Sequence, residues 1–339
     1  MFDASRIGCN SCDSRSANAG AGQVSMSSGV RFSMNWGSMH TQPRRKAPIK
    51  PTVNSLACSL LSIALLIATS EPSRGQTADL WIVSAHSGAA RQLTNHPASD
   101  EEPEWSPDGM FILFDSDRSG SRDLFVVALD GSGLRRLTSS PAKEDHAAWS
   151  PNGEWIAYQR EAGGNTDVWI MRADGAQQQR LTTHAARDGW PDWSPDGSQI
   201  VFSSERDGHR EIYVMDRDGS SQRRLTYSDR DNTDPAWSVD GRNIAFNSER
   251  DGNSEIYVMR ADGLRQLRVT QSPERDERPA WSPDGNHVAF SRYANDGRGW
   301  VVVHDLQTGA ERRLNEGSYF SQIRPHWSPD GLWIVVQQR

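Results

Sequence analysis

The chain has 339 residues, of which 35% are hydrophobic and 24% charged, and its formal net charge is −7 at pH 7. This composition excludes a protein with many membrane spans, and 13 tryptophans argue against a wholly disordered chain. The first 70 residues hold seven Arg or Lys against two Asp, so the rest of the chain carries the acidic excess. An acidic body does not suit nucleic-acid binding, because phosphate contacts need clustered cations.

The first element along the chain is a targeting pattern. Basic residues at 44–50 precede a mostly apolar run at 56–68, and small residues continue to Ser70. This order is typical of a secretory signal peptide, and the run is shorter than the roughly 20 residues that span a bilayer. We expect cleavage after Ser70 and a periplasmic protein that begins near Glu71 without a membrane span. The alternative is a short hydrophobic helix buried in the fold.

Residues 1–70 are therefore expected to be a disordered leader followed by the signal peptide. Signal peptides normally begin near their basic region, so Met34 and Met39 are candidate start sites. All three cysteines, Cys9, Cys12 and Cys58, lie in this segment. Cys9 and Cys12 resemble half of a zinc site, but no second pair follows, so we expect no metal there.

An internal repeat occupies the rest of the chain. A Trp-Ser-Pro-Asp-Gly phrase, with small variations, recurs every 44 to 46 residues and begins at Trp105, Trp149, Trp193, Trp237, Trp281 and Trp327. A second mark recurs in step as Leu93-Thr94, Leu137-Thr138, Leu181-Thr182, Leu225-Thr226, Val269-Thr270 and Leu314-Asn315. Six copies of this period predict a repeat architecture, with each motif tryptophan packed between neighbouring units.

Each period consists of short strand-forming runs. In the third repeat, the turn at 195–197 is followed by apolar runs at 200–203 and 212–215, and then by Arg224-Leu225-Thr226. Pro-Asp-Gly and Asp-Gly turns between β-branched and aromatic runs indicate a four-stranded antiparallel meander. Six such meanders predict an all-β, six-bladed propeller.

The two ends of the repeat region complement each other. The sixth repeat supplies only two strands before Arg339, and two more occur at 80–83 and 91–94. We therefore expect the N-terminal hairpin to complete the last blade, which would hide strand edges that otherwise invite pairing. The predicted organisation is residues 71–78 as a linker and residues 79–339 as the propeller.

The repeat resembles a known family. The segments 191–197, 204–215 and 223–226 closely resemble the propeller repeats of TolB-like proteins, and the resemblance covers about residues 79–339. It implies a periplasmic binding module of a Tol–Pal-type envelope system. Such a module docks a protein or peptide, for example a peptidoglycan-associated lipoprotein, at the mouth of its channel. TolB has an α/β domain before its propeller, whereas here we expect the propeller alone, as a monomer.

Acidic residues stand just before the inner strands of five blades. They are Asp100, Glu101, Glu144, Asp145, Asp188, Asp231, Asp234, Asp276 and Glu277. These connections converge on one rim of a propeller channel, so we expect an acidic mouth that attracts a positively charged partner. Trp190, Tyr319 and Phe320 belong to the same connections and are candidate aromatic anchors. The alternative is that the carboxylates cap loops or pair with Arg187, Arg230 and Arg275.

Three loops carry alternating oxygen side chains around a glycine. They span residues 115–123, 203–211 and 247–255. This spacing is found in calcium loops, although valine replaces the closing glutamate, and Asp-Gly also suits a tight hairpin turn. No motif requires a cofactor, and Ca²⁺ is the one ion with a candidate site.

Enzyme motifs are missing: the sequence has no Gly-x-Ser-x-Gly, no His-Glu-x-x-His and no P-loop. We therefore expect a binding protein rather than an enzyme. Some similar propellers are pectin-fragment lyases that use metal-bound histidines. A metal-dependent polysaccharide lyase or hydrolase, with His146, His184 and His326 in the channel, is thus the alternative function.

Overall fold

The computed structural model describes residues 77–314 and 322–339. Every regular element in these ranges is a β-strand, and the 24 strands form six four-stranded antiparallel sheets. Within the same ranges, no helix has the length and apolar character that a membrane crossing requires. The predicted leader, the signal peptide and the three cysteines lie outside the described residues.

The strands, β1 to β24 in chain order, occupy four positions in each blade. The innermost strands, which contact one another around the channel, are β3 (Asp100–Trp105), β7 (Lys143–Trp149), β11 (Asp188–Trp193), β15 (Asn232–Trp237), β19 (Arg275–Trp281) and β23 (Gln322–Trp327). The second strands are β4 (Phe111–Ser116), β8 (Trp155–Ala162), β12 (Gln199–Ser204), β16 (Asn243–Ser248), β20 (His287–Tyr293) and β24 (Trp333–Gln338).

The third strands are β5 (Asp123–Ala128), β9 (Asn165–Arg172), β13 (Glu211–Asp216), β17 (Glu255–Arg260), β21 (Gly299–Asp305) and β1 (Asp79–Ser84). The outer strands are β6 (Arg135–Arg136), β10 (Gln179–Arg180), β14 (Arg223–Arg224), β18 (Leu267–Arg268), β22 (Glu311–Arg313) and β2 (Ala90–Gln92). Blades 1 to 5 therefore start at β3, β7, β11, β15 and β19, and the six-bladed all-β fold is as predicted.

Blade 6 combines the two ends of the propeller sequence. Its sheet has the order β2-β1-β24-β23, and β1 pairs with β24 from Asp79 opposite Gln338 to Ser84 opposite Trp333. The N-terminal hairpin thus closes the last blade, as the strand arithmetic predicted.

The Trp-Ser-Pro-Asp-Gly phrase recurs because it forms the turn between the first and second strands. In blade 1, Ser106 Oγ donates to Asp108 Oδ1 (2.6 Å) and accepts from Phe111 N (2.9 Å). Gly109 has a φ of +70°, a conformation that glycine adopts without strain. Asn152 takes the place of the aspartate in blade 2 and makes the same bonds.

The Leu-Thr mark has a different structural reason. Thr138 Oγ1 accepts a hydrogen bond from Leu124 N (2.9 Å), so the side chain satisfies a third-strand N–H where the short outer strand has ended. The equivalent threonines of four other blades make the same bond; they are Thr94, Thr182, Thr226 and Thr270.

The hydrophobic core is divided among the blade interfaces. Six buried clusters were found in the described part of the chain, one between each pair of neighbouring blades. Each cluster contains or contacts one motif tryptophan. Trp193, for example, packs between blades 2 and 3 with Ala157 and Phe202. The motif tryptophans therefore hold neighbouring blades together, as expected.

Candidate functional site: the central channel

The channel has two unlike ends, because all six inner strands run in the same direction along it. We call the end where these strands begin the starting end, and the end where they finish at the motif tryptophans the tryptophan end. The predicted acidic mouth falls at the starting end.

At the starting end, the first carboxylate of four inner strands is buried in an ion pair. Asp100, Glu144, Asp188 and Asp276 are all 0% exposed. Each contacts an arginine of its own blade, which lies at the end of the second strand or just after that strand. The nitrogen–oxygen distance is 2.6 Å for Arg118–Asp100 and 2.7 to 2.9 Å for the other three pairs. Blade 4 has Asn232 instead, whose Oδ1 accepts from Arg250 (3.0 Å).

These arginines also lie over aromatic rings. The guanidinium of Arg206, for example, is 4.6 Å from the ring centre of Tyr213. A buried carboxylate that is paired in this way holds its blade together and presents little charge to solvent. The structure therefore supports the alternative of arginine pairing for these four residues, although with arginines other than those expected. Of the expected arginines, Arg275 pairs with the predicted acid Glu277 (3.0 Å), whereas Arg187 contacts Glu161.

The other predicted acidic residues also have partners. Glu101 contacts Arg122, Arg324 and Arg339 at 2.8 to 3.2 Å. Asp145 contacts Lys143 (2.8 Å).

Asp231 is about 38% exposed in its side chain and accepts from Arg210 N (3.1 Å). Tyr319 and Phe320 lie outside the described residues. A partner contact at this end stays a prediction, but little unpaired charge is available there.

In the middle of the channel, each inner strand has one residue with a positive φ. These six residues, which we call the central ring, are Glu102, His146, Trp190, Asp234, Arg278 and Arg324, with φ between 48° and 61°. The pairing of each inner strand with its neighbour shifts register around this residue, which marks a β-bulge. Two of the predicted site residues, Trp190 and Asp234, belong to the ring.

The side chains of the central ring meet across the channel. Glu102 of blade 1 accepts from Arg278 Nη1 of blade 5 (2.9 Å) and also contacts Arg324. His146 Nε2 of blade 2 is 3.1 Å from Glu102 Oε1 and 3.4 Å from Arg278 Nη1. Since blades 2 and 5 face each other, these contacts cross the channel.

Protonation follows from this arrangement. Burial raises the pKa of Glu102, but the guanidiniums of Arg278 and Arg324 outweigh burial and hold that pKa well below its usual range. Burial lowers the pKa of His146, yet the carboxylates of Glu102 and Asp145 raise it overall to about 9. His146 is therefore an imidazolium ion at neutral pH, and the ring as a whole is not acidic.

Between the ring and the tryptophan end lies a cavity of about 420 Å³, the tryptophan cavity. All six motif tryptophans line it, together with at least one proline from every blade. In the turn of blade 4, Val239 takes the place of the proline. Its wall runs from the ring to exposed Pro151, Val239 and Pro329, so the cavity opens at this end.

Three side chains of the cavity wall hold neighbouring blades together. Glu104 Oε1 accepts from Trp149 N of the next blade (2.9 Å), and Asp192 Oδ2 accepts from Trp237 N (2.7 Å). His326 Nδ1 accepts from Trp105 N (3.2 Å). The equivalent residues of the other three blades are alanines, Ala148, Ala236 and Ala280.

Burial controls the charge of these three groups. It raises the pKa of Asp192 to about 6. Burial and the nearby Asp192 carboxylate raise the pKa of Glu104 well above its usual range. Burial lowers the pKa of His326 to about 4, so this imidazole is neutral at pH 7.

The family assignment follows from a comparison with known domains. A family model described as the TolB beta propeller domain matches residues 64–188, 144–247 and 188–339. The chain belongs to the TolB β-propeller family. No protein of curated function matches it in sequence.

Solved structures share the TolB-type propeller. A protein from Agrobacterium tumefaciens assigned as TolB is 27% identical, with a TM-score of 0.69 over 77% of this chain and 98% of that one. TolB from Acinetobacter baumannii is 19% identical, with a TM-score of 0.57 over 77% of this chain and 63% of that one. Oligogalacturonate lyase from Vibrio parahaemolyticus is 13% identical, with a TM-score of 0.51 over 77% of this chain and 97% of that one. At such identities the last two show the fold alone.

The structure separates the three histidines of the lyase alternative. His146 and His326 line the cavity, but His184 lies in an exposed loop, where its Nδ1 accepts from Ala186 N (3.0 Å). A protonated His146 is also a poor ligand, because metals bind neutral imidazole. Across the described ranges, no group of three His, Cys, Asp or Glu side chains is placed to hold a metal ion.

In this TolB-type propeller, carboxylates of the predicted calcium loops contact nearby arginine and tyrosine side chains. Asp115 contacts Arg122 (3.1 Å), and Asp251 contacts Arg268 (3.2 Å) and the hydroxyl of Tyr257. Calcium binding stays a prediction, and a bound ion would have to compete with these arginines.

Sequence reasoning named three of the six residues of the central ring, Trp190, Asp234 and His146, and missed the acids of the cavity wall. A signal for both existed: the residues three and one positions before the motif tryptophan differ from blade to blade, while the tryptophan recurs in all six blades and a proline stands between the two positions in five. In a repeat protein, residues that the fold of each unit requires recur in every repeat, so positions that vary between repeats can carry a binding function.

Proposed function

We propose that this TolB-type propeller is an exported binding module that docks a protein or peptide segment in the tryptophan cavity. One observation carries the proposal: a cavity lined by six tryptophans lies open at one end and is crossed by the central ring at the other. Such a concave apolar site with a few polar groups is the usual form of a binding pocket. Its aromatic side chains are the type that dominates binding energy at interfaces.

The family supports an envelope role. A periplasmic location fits the targeting pattern at 44–70, and a peptidoglycan-associated lipoprotein in a Tol–Pal-type system is the first partner to test. The absence of an enzyme motif in the sequence and of a metal-binding group in the described ranges favours binding over catalysis.

Site-specific photo-crosslinking in living cells tests the docking. A benzophenone amino acid at Val239, which is 46% exposed at the cavity rim, should yield a crosslinked envelope protein. The matched control is Tyr227, which is 73% exposed on the loop between blades 3 and 4, at the starting end. Equal crosslinking at both positions, or none at Val239, would contradict docking at the tryptophan end.

Export has its own test. N-terminal sequencing of the protein from a periplasmic fraction should give a chain that begins near Glu71. An intact N-terminus in the cytoplasmic fraction would contradict the proposed location.

A further inference from the structure

The chemistry of the tryptophan cavity indicates what kind of segment it takes; this step rests on the proposed function. Most of the wall is tryptophan and proline, so any charge in it stands out. The cations of the ring, Arg278, Arg324 and His146, already contact Glu102.

Outside the central ring, the two charged side chains on the wall, Glu104 and Asp192, are both acidic. In the described part of the chain, no Lys or Arg lies within 4 Å of the carboxylate of Glu104 or Asp192. The nearest basic group, His326 Nε2, is 3.9 Å from Glu104 Oε1 and is neutral. Each carboxylate accepts one backbone N–H and keeps capacity for further hydrogen bonds. Burial raises the pKa of both acids, which is the direction expected for carboxylates that have no cation beside them.

The aromatic wall favours the same ligand. Tryptophan faces attract cations more strongly than other rings do.

The surface around the opening is apolar on two sides. Met110 of blade 1 and Leu332 of blade 6 are 61% and 51% exposed, and Gly109 lies against Pro329. On the opposite side, Val239 and Leu264 of blade 4 are 46% and 61% exposed. After the turn, blades 1 and 6 carry the apolar Met110 and Leu332, whereas the other four blades carry Glu154, Ser198, Arg242 and Asn286.

We propose that the docked segment is an extended peptide that inserts a lysine or arginine side chain between Glu104 and Asp192, with apolar residues on either side of it. The methylenes of such a side chain lie along the tryptophans, while its cation replaces the missing partner of the two acids. The flanking residues contact the apolar patches of blades 1, 4 and 6.

Calorimetric titration of the mature protein tests this with three probe peptides. They are acetyl-Ala-Leu-Xaa-Leu-Ala-amide with Xaa as lysine, norleucine or glutamate. We expect the lysine peptide to bind at least about ten-fold more tightly than norleucine, and glutamate to bind most weakly. Asp192→Asn and Glu104→Gln, which keep the acceptor for the tryptophan N–H, should each weaken lysine binding by about ten-fold and leave norleucine binding unchanged.

The matched control is Asp108→Asn, which removes a charge from the same face but not from the cavity. Asn152 already occupies this turn position in blade 2, so the fold tolerates the change. If lysine and norleucine bind equally, the cation inference is wrong while peptide docking stands. If no peptide binds and Val239 gives no crosslink, the proposed function fails as well. If Asp108→Asn weakens lysine binding as much as Asp192→Asn does, a general surface charge replaces the specific site.

Discussion

The two ends of the channel are built from the same six strands, yet their acidic side chains differ in whether they have a cationic partner. At the starting end, each of four acids meets its own arginine inside the blade, as Asp188 meets Arg206. At the tryptophan end, Glu104 and Asp192 face a cavity without a cationic partner. The first arrangement repeats from blade to blade, and the second does not.

This difference separates structural from functional charge. A residue that every blade needs for its own stability recurs with the period, so repetition marks architecture. The acid at 104 and 192 occurs in only two blades, and three other blades have alanine at this position, so the blade architecture does not require an acid there. Such a position is where a repeat protein has room for a binding site.

Opening the ring of blades should have the largest effect, because it disrupts both ends of the channel. Deleting residues 71–94 removes β1 and β2 and leaves β24 with an unpaired edge. We expect loss of the cooperative transition, because the deletion also removes Leu80 and Ile82 from a buried cluster. Circular dichroism during heating measures this, with a chain that begins at Glu71 as the control. Melting temperatures within a few degrees of each other would contradict the closure.

A smaller break affects the starting end alone. Arg206→Ala leaves the Asp188 carboxylate buried without its partner and should lower the free energy of unfolding by about 3 kcal/mol. Asp188→Asn should be milder, since blade 4 already uses Asn232 with Arg250. Urea unfolding of both variants measures the difference. Slower partner binding with unchanged stability would instead support the predicted acidic mouth.

The central ring gives the stability a pH dependence. His146 has a pKa of about 9 in the folded protein against 6.5 for an unperturbed histidine, so its contribution is complete below pH 6.5 and is lost as pH rises through 9. We expect the free energy of unfolding to fall by about 3 kcal/mol over this window. In Glu102→Gln the fall should shrink, because the carboxylate that raises the pKa of His146 most is gone. Urea unfolding at several pH values would show an unchanged slope if this pairing is absent.

The smallest expected effect is a substitution that stabilises the protein, at Asp192. Burial raises the pKa of Asp192 from 3.8 to about 6, so its favourable contribution is present below pH 3.8 and is lost as pH rises through 6. Asp192→Asn removes the buried charge and keeps an acceptor for Trp237 N, so it should stabilise the protein by about 1 kcal/mol at pH 8. A rise in melting temperature together with weaker lysine-peptide binding is the expected pair of results. A destabilised variant would mean that Asp192 is structural.

The fold was predictable from the sequence because the period is carried by turn chemistry. The turn at Ser106–Gly109 and the threonine at 138 are local motifs, and local motifs can be read in order along a chain. The closure of blade 6 was predictable because strands could be counted.

The channel was less predictable, since its contacts join distant residues. Glu102 and Arg278 are 176 residues apart in sequence, and no spacing rule connects them. The acids of the starting end were recognised as a set, but their burial depends on Arg118, Arg160, Arg206 and Arg292, and no sequence pattern indicated these pairs. Only the three-dimensional structure shows which charges are already neutralised.

The pairing of β1 with β24 also affects how the protein folds. These strands lie at opposite ends of the propeller sequence, so β1 cannot pair with β24 until the other blades have been synthesised. Contacts of such long range slow folding, because loop closure precedes the gain from pairing. Until β24 arrives, the free edge of β1 is a template for strands of other chains. The same contact that completes the native ring therefore makes the nascent chain prone to aggregate, and its assembly is the step at which a chaperone has the most to protect.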